Sequence, residues 1–392
     1  MDTSTTTFSQ HFLAALLGGI QESRHYLEQM ARAGESVAER LLSGGRLFIA
    51  SARPDFTSEG FVRASGLMLL EEWGGQRQPG PKDVVILGWA NADLEAEKEL
   101  LQQVERSGAW IVGIGPAAAL SARVQVFLES APPQPGAVLA IFGGEKYPLV
   151  ALQNLVLLWA FSGELVAALT RCGAMPTIYQ SVLMPGARRR NEARQGLRFE
   201  AAHEVPPIAA AKLGRRYLER LGGCLDTLLQ QESEAIEEIG RIGAALLEEG
   251  RQIYAFLISH FPVFQWGAPG DPLLVERLDT FSGETPATAE LEEKLEAGDL
   301  FFFLGYFHRP LAAYEVARRK GARIVEIITD GTAAGEPVPD YVIRPRWPYG
   351  DGLVAVPHYD IDILPASGIV QAAIYWAVMG AVASRRAIGD AP

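Results

Sequence analysis

Between Ser51 and Leu67 the chain reads SARPDFTSEGFVRASGL, a stretch rich in side chains that hold anions or move protons. Ser51, Arg53, Thr57 and Ser58 offer hydroxyl and guanidinium donors to an anion. Glu59 and Arg63 are spaced to share one helix face, where the plain reading is a surface ion pair of little energetic weight. A second stretch, LISHFPVFQWGAPGDP, opens its Gly/Pro-rich run at Ser259 and His260. His260 is a candidate for proton transfer, or a ring that hydrogen-bonds a backbone carbonyl. The third is Gly305-Tyr306-Phe307-His308-Arg309. Here Gly305 permits a tight turn, Tyr306 or Phe307 can stack on an apolar ligand face, and His308 and Arg309 can meet an anion. The alternative is that the aromatics cap a sheet while His308 faces solvent.

What would position these residues is a parallel sheet. Leu300 to Leu304 is an unbroken apolar run, suited to a strand buried on both faces, and Pro310 opens a helix that Gly321 stops. Ligands of open parallel sheets bind outside the carboxyl ends of the strands, beside helix N-termini. A similar loop, Gly88-Trp89-Ala90-Asn91-Ala92-Asp93, follows the run at Val84, although Asp93 there would repel an anion. The likeness extends along the chain. LLGGIQES at Leu16 pairs with RLGGCLDT at Arg220, and LLSGGRLFIA at Leu41 with LLEEGRQIYA at Leu246. RSGAWIVGI at Arg106 pairs with RKGARIVEI at Arg319, and LLWAFSGELVAA at Leu157 with IYWAVMGAVAS at Ile374. The order is kept, which indicates an internal duplication and sets Trp159 against Trp376.

Each copy reads as alternating helices and strands, hence right-handed βαβ units. Expected strands are Arg46–Ser51, Val84–Gly88, Trp110–Ile114 and Ala137–Phe142 in the first copy. In the second they are Gln252–Ile258, Leu300–Leu304, Arg323–Ile328, and either Tyr341–Ile343 or Leu353–Val356. The fold class is therefore α/β, two tandem three-layer αβα domains with flavodoxin-like parallel sheets. Residues 11–171 and 216–386 form the domains and 172–215 the connection.

The elements ERLLSGGRLFIAS, DVVILG…RSGAWIVGIG and GDLFFFLG…ARRKGARIVEIIT resemble sugar isomerase (SIS) domains in tandem. The resemblance implies five-stranded parallel sheets and phosphosugar sites near a pseudo-two-fold interface, in isomerases or in regulators that only bind. It implies a Ser-x-Ser-Gly-x-Thr phosphate loop after the second long strand. Neither the Gly88–Asn91 loop nor the Gly305–Arg309 loop keeps those hydroxyls. In an aldose–ketose isomerase the region after the first strand helps bind the ligand, and Glu59 would be the base moving a proton between C1 and C2. The expectation is a phosphosugar-binding protein with such an isomerase as its enzymatic form. The alternatives are a non-catalytic regulator or an oligomerisation module. Glu59, His260 and His308 are the candidate catalytic residues. Candidate ligand contacts are Ser51, Arg53, Thr57, Ser58, Arg63, Gly88, Asn91, Ser259, Gly305, Tyr306 and Arg309.

Composition narrows the partners. The chain has 392 residues, 48% hydrophobic and 21% charged, as folded globular proteins do. A net charge of −12 disfavours nucleic acid. Two cysteines, no Cys/His cluster and no signal-like N-terminus suggest the cytoplasm, with no metal or other cofactor expected and a homodimer allowed. The uncharged run Ile363–Ser384 reads as a buried core helix from about Gly368, not a membrane span. FSGETPAT at Phe281 precedes its strand and reads as a helix cap, Thr285 before Pro286. Asp360 and Asp362 alternate on one side of an extended segment and lack a third cation ligand, and Arg188-Arg189-Arg190 reads as solvated charge unless it meets a phosphate.

Overall fold

The computed structural model describes residues 6–200, 204–258, 260–280, 285–329 and 337–389. The first copy runs α1 (Phe8–Ser23), α2 (Leu27–Leu42), β1 (Leu47–Ser51), α3 (Pro54–Gly60), β2 (Leu70–Glu72) and β3 (Val84–Gly88). It continues with α4 (Leu94–Ser107), β4 (Trp110–Gly115), α5 (Ala117–Leu120), β5 (Val126–Glu129), α6 (Gly136–Ile141) and α7 (Tyr147–Arg171). After α8 (Ala187–Arg194), the second copy runs α9 (Lys212–Gln231), α10 (Ser233–Glu248), β6 (Ile253–Leu257), β7 (Glu276–Arg277), α11 (Thr288–Lys294) and β8 (Leu300–Leu304). It ends with α12 (Leu311–Lys320), β9 (Arg323–Ile327), β10 (Tyr341–Ile343), β11 (Gly352–Val354), β12 (Ile363–Pro365) and α13 (Ser367–Gly389).

The two copies build the same sheet. Their strand orders are β2-β1-β3-β4-β5 and β7-β6-β8-β9-β10, with every pair parallel. The central pairs share their register, Leu47 beside Val84 and Ile253 beside Leu300. β3 and β8 are buried at every residue, as continuous apolar runs in a parallel sheet should be.

The helices repeat as well. α2 buries Leu27, Met30, Ala31, Gly34, Val37, Ala38 and Leu41, a stripe at helical spacing that packs on α7. α10 does the same against α13. A glycine permits each close approach. A Cβ on Gly34 would stand 2.9 Å from the Glu164 carbonyl oxygen, and one on Gly240 2.6 Å from the Ala381 Cβ. The first helices cross over: α1 packs on α13 and α9 on α7. α7 and α13 are long and apolar enough to cross a membrane, yet 100% and 89% of their most apolar windows lie buried inside the protein. Trp159 and Trp376 are both fully buried on these helices.

Some expected elements differ. Ala137–Phe142 is helix α6, because Pro135 stands at its N-cap and Gly143 and Gly144, both left-handed, end it. The fifth strand is β5 instead, and Tyr341–Ile343 is the second copy's fifth strand. The apolar run at 353–356 falls partly in β11, which pairs antiparallel with β12. The short edge strands β2 and β7 carry too little pattern to foresee. α11 starts at Thr288 with Ala287, not Thr285, at its N-cap; Phe281 to Glu284 lie outside the described residues. α13 begins at Ser367 itself and continues to Gly389.

Candidate functional site

The loop after β1 turns into α3, whose N1 position is Pro54. That short helix aims Glu59, and the loop after it aims Arg63, at the second copy. Arg63 Nε donates to Glu59 Oε1 at 3.0 Å, and Arg63 Nη2 lies 2.7 Å from Asp351 Oδ2 and also bonds Ser367 Oγ. The pair is not on the surface, as its spacing alone suggested. Arg63 is 5% exposed and Glu59 1%. Asp351 accepts further bonds from the backbone N–H of Ala366 (3.1 Å) and Ser367 (2.8 Å) and from Ser367 Oγ (2.9 Å). It thereby satisfies the start of α13. Glu59 Oε2 stands 3.4 Å from the Phe261 N–H.

Burial governs the proton affinities here. It raises Glu59 above the usual carboxylate range, against the opposing charge of Arg63. Burial alone would lower Arg63, but Asp351 and Glu59 together carry it above its ordinary value. Tyr306, whose buried hydroxyl lacks a well-formed hydrogen bond, is pushed well above 10 by burial and by Asp351.

In front of this cluster lies a cleft of about 240 Å³, lined by Arg63 from the first copy and His260 and Tyr306 from the second, with Gln180, Ser181 and Asn191 from the connection. Asn191 fixes its wall by bonding both the N–H and the carbonyl of Gln180, at 2.9 and 2.8 Å. His260 occupies the left-handed region at φ 71 and sets Nδ1 3.3 Å from the Ser58 carbonyl. A ring meeting a carbonyl there carries its hydrogen on Nδ1, leaving Nε2 as acceptor. Burial and the Arg63 charge lower its pKa to about 4, so it is neutral near pH 7.

Three of the expected residues, Arg63, His260 and Tyr306, thus converge. Glu59 stands behind Arg63, sealed from the cleft, which corrects its expected place as an accessible base. Ser58 contributes its carbonyl. Ser51 and Thr57 are spent on each other, Oγ to Oγ1 at 2.6 Å, so they form no anion cluster with Arg53. Arg53 crosses to the Phe264 carbonyl at 3.1 Å. Ser259 lies outside the described residues.

The two loops expected to hold an anion are otherwise engaged. Arg309 turns into the sheet, donating from Nε to Glu326 Oε2 at 2.8 Å, with its side chain 10% exposed. Glu326, fully buried on β9, also receives Tyr314 (3.0 Å) and Arg344 (2.8 Å). An ionic strand residue needs such partners, so Arg309 turns from its loop to pair with the sheet's buried carboxylate instead of facing outward as an anion ligand. His308 is exposed and rests on the Phe307 ring. Gly305 makes no tight turn: its N–H continues the ladder to Ile327 at 3.0 Å, and its missing side chain leaves room for the Phe303 ring. Gly88 makes room for Phe56 in the same way. Asn91 accepts from Trp89 Nε1 at 2.7 Å.

The remaining candidates are structural. Arg190 forms a two-pronged bond with Asp360, both at 2.8 Å, which ties α8 to the segment before β12. Among the described residues no group of three or more His, Cys, Asp or Glu is placed to hold a metal ion. Sequence reasoning missed Asp351. Its signal was Gly350-Asp351-Gly352, where both Gly350 and Asp351 adopt positive φ.

No protein-family model matches the chain, and no curated relative matches it. Solved structures do. The C-terminal domain of glucosamine-fructose-6-phosphate aminotransferase from Francisella tularensis superimposes with a TM-score of 0.51 at 9% identity, covering 95% of this chain and 96% of that one. Tagatose-6-phosphate ketose/aldose isomerase from Escherichia coli gives a TM-score of 0.47 at 12% identity, covering 100% and 96%. The first of these likenesses, with the sheet order above, shows the fold: two α/β domains in tandem, each on a five-stranded parallel sheet.

Proposed function

Proceeding from that tandem fold and the resemblance of its sequence elements to sugar isomerase domains, we propose that the chain binds a phosphorylated sugar or related carbohydrate derivative in the cleft between its copies, as a binding protein and not an isomerase. The observation that carries the reading is the convergence of Arg63, His260 and Tyr306 on one cleft at the carboxyl edge of the second sheet. Arg63 shows the cleft the edge of a guanidinium already paired with Glu59 and Asp351, His260 and Ser181 exchange hydrogen bonds with hydroxyls, and Tyr306 offers an aromatic surface. A volume of about 240 Å³ lies just below the usual range of ligand sites, about 300–1,000 Å³, and limits the occupant to a single sugar unit.

Binding without isomerisation follows from Glu59. The carboxylate that would move the proton is 1% exposed and held by Arg63. A general base must come within hydrogen-bond reach of the proton it takes. A thermal-shift panel of phosphosugars and their unphosphorylated parents tests the proposal. A true ligand at a hundredfold excess over its Kd adds about 2.7 kcal/mol of stability. His260→Asn should abolish that shift. A panel that moves no melting temperature would remove the binding reading. Turnover of an aldose to a ketose, lost in Glu59→Gln, would restore the isomerase.

A further inference from the structure

The chain from Arg63 to Gly66 runs beside the connection at Tyr179. The Ser65 N–H donates to the Tyr179 carbonyl at 2.7 Å, and the Tyr179 N–H to the Gly66 carbonyl at 3.0 Å. The cleft lies against this strip, at Arg63 and Ala64. So does a second cavity, of about 290 Å³. Its wall includes Ser65, Gln180 and Ser181, together with Tyr349, before β11, and Tyr359 and Asp362, before β12. Gln180 and Ser181 line both cavities, so the two are neighbours with a common wall.

The polar groups of the second cavity divide into those already engaged and those open. The Tyr359 hydroxyl donates to Glu200 at 2.8 Å and receives Arg190 Nη2 at 3.1 Å, and Arg190 also holds Asp360. Asp362 is exposed and makes no hydrogen bond or ion pair among the described residues. Ser181 is 6% exposed, yet its hydroxyl has no hydrogen-bond partner among them either. A buried hydroxyl is costly unless a partner meets it, and a ligand that spans the common wall supplies one. Tyr349 provides a surface. It is 46% exposed, with its ring edge-on to Phe307 at 4.7 Å and its hydroxyl donating to the Leu183 carbonyl at 2.9 Å. A fixed aromatic face beside a carboxylate, an amide and a hydroxyl matches a ring with an apolar C–H face and a rim of hydroxyls. Asp362 would repel a phosphate, so that ring is uncharged. We propose that the second cavity is a sugar subsite, so that the ligand is a phosphorylated disaccharide with its phosphate-bearing unit in the cleft and its second unit on Tyr349, bonded to Asp362 and Ser181. The proposal rests on the binding reading of the cleft and names the ligand class. The cleft alone falls below the usual size of a ligand site, whereas the two cavities together fall within it.

Calorimetry on matched pairs tests this: glucose 6-phosphate against maltose 6′-phosphate and cellobiose 6′-phosphate, and galactose 6-phosphate against lactose 6-phosphate. At least one disaccharide phosphate should bind about tenfold more tightly than its phosphorylated monosaccharide. Asp362→Ala and Tyr349→Ala should each cancel that gain and leave the monosaccharide phosphate's affinity where it was. Tyr349→Phe keeps the ring and should keep the gain. Asp362 is exposed and bonds nothing in the fold, so its variant decides the matter if Tyr349→Ala disturbs the wall at Leu183. Monosaccharide phosphates that bind as tightly as every disaccharide phosphate, or a gain that survives Asp362→Ala, would overturn this inference and leave the cleft reading standing. A panel in which no phosphosugar of either kind binds would remove both.

Discussion

Arg63 and Asp351 come from opposite copies of the duplicated unit and meet at 2.7 Å with 5% and 0% of their side chains exposed. Neither charge can be hydrated, so each depends on the other and on the polar groups around them. The pair locks the loop after α3 to the start of α13, the relationship that fixes the cleft. Asp351→Ala strands the Arg63 guanidinium and the N–H groups of Ala366 and Ser367. It should cost roughly 3–5 kcal/mol, the scale of breaking a buried pair. Urea unfolding would measure it. A loss below about 1 kcal/mol would mean that water reaches the cluster.

Gly368 tests how tightly that lock is packed. A Cβ there would fall on the Glu59 carboxylate, which its ion pair with Arg63 holds in place. Gly368→Ala should destabilise by about 1–3 kcal/mol, as overpacking does. Combining it with Glu59→Ala should cost less than the sum of the two changes, because the second removes the obstacle that the first strikes. Strict additivity would place the clash elsewhere.

Arg309 has its effect inside the second sheet. Its removal leaves Glu326 with Arg344 and Tyr314 as donors. Arg309→Ala should lower stability by about 1.5–3 kcal/mol, the scale of a hydrogen bond to a charged group. Binding of any ligand that stabilises the cleft should keep its affinity. A variant of unchanged stability and weakened phosphosugar binding would reverse this assignment.

The sheets were legible because their central strands are unbroken apolar runs and because the duplication states the pattern twice. α6 was not, since a short apolar run between Pro135 and Gly143 has no periodicity to separate strand from helix. Glu59 and Arg63 were legible as a pair from their spacing, but their burial depends on Asp351, which is remote in sequence. Arg309 was misplaced for the same reason. Its partner Glu326, a carboxylate inside the apolar run RIVEI, was the clue that a cation must turn inward to meet it.

His260 makes the clearest pH prediction. Its pKa falls from 6.5 in the unfolded chain to about 4 in the folded protein, through burial first and the Arg63 charge second. The unfolded state therefore binds the proton more readily, and protonation favours unfolding. The stability held by the neutral ring is fully present above about pH 6.5. It declines as the pH falls and is lost by about pH 4, for a total of roughly 3 kcal/mol. His260→Asn removes the titrating group and suits the left-handed backbone at φ 71, which asparagine tolerates. The variant should show a flatter stability curve between pH 6.5 and 4, measured by urea unfolding at a series of pH values. Ordinary carboxylates titrate at the lower end of that window, and Glu97, which burial raises to about 7, adds a slope of opposite sign to parent and variant alike, so the difference between the two curves carries the test. A variant with the same slope as the parent between pH 6.5 and 5 would show that the imidazole is open to water and takes up its proton in the folded state.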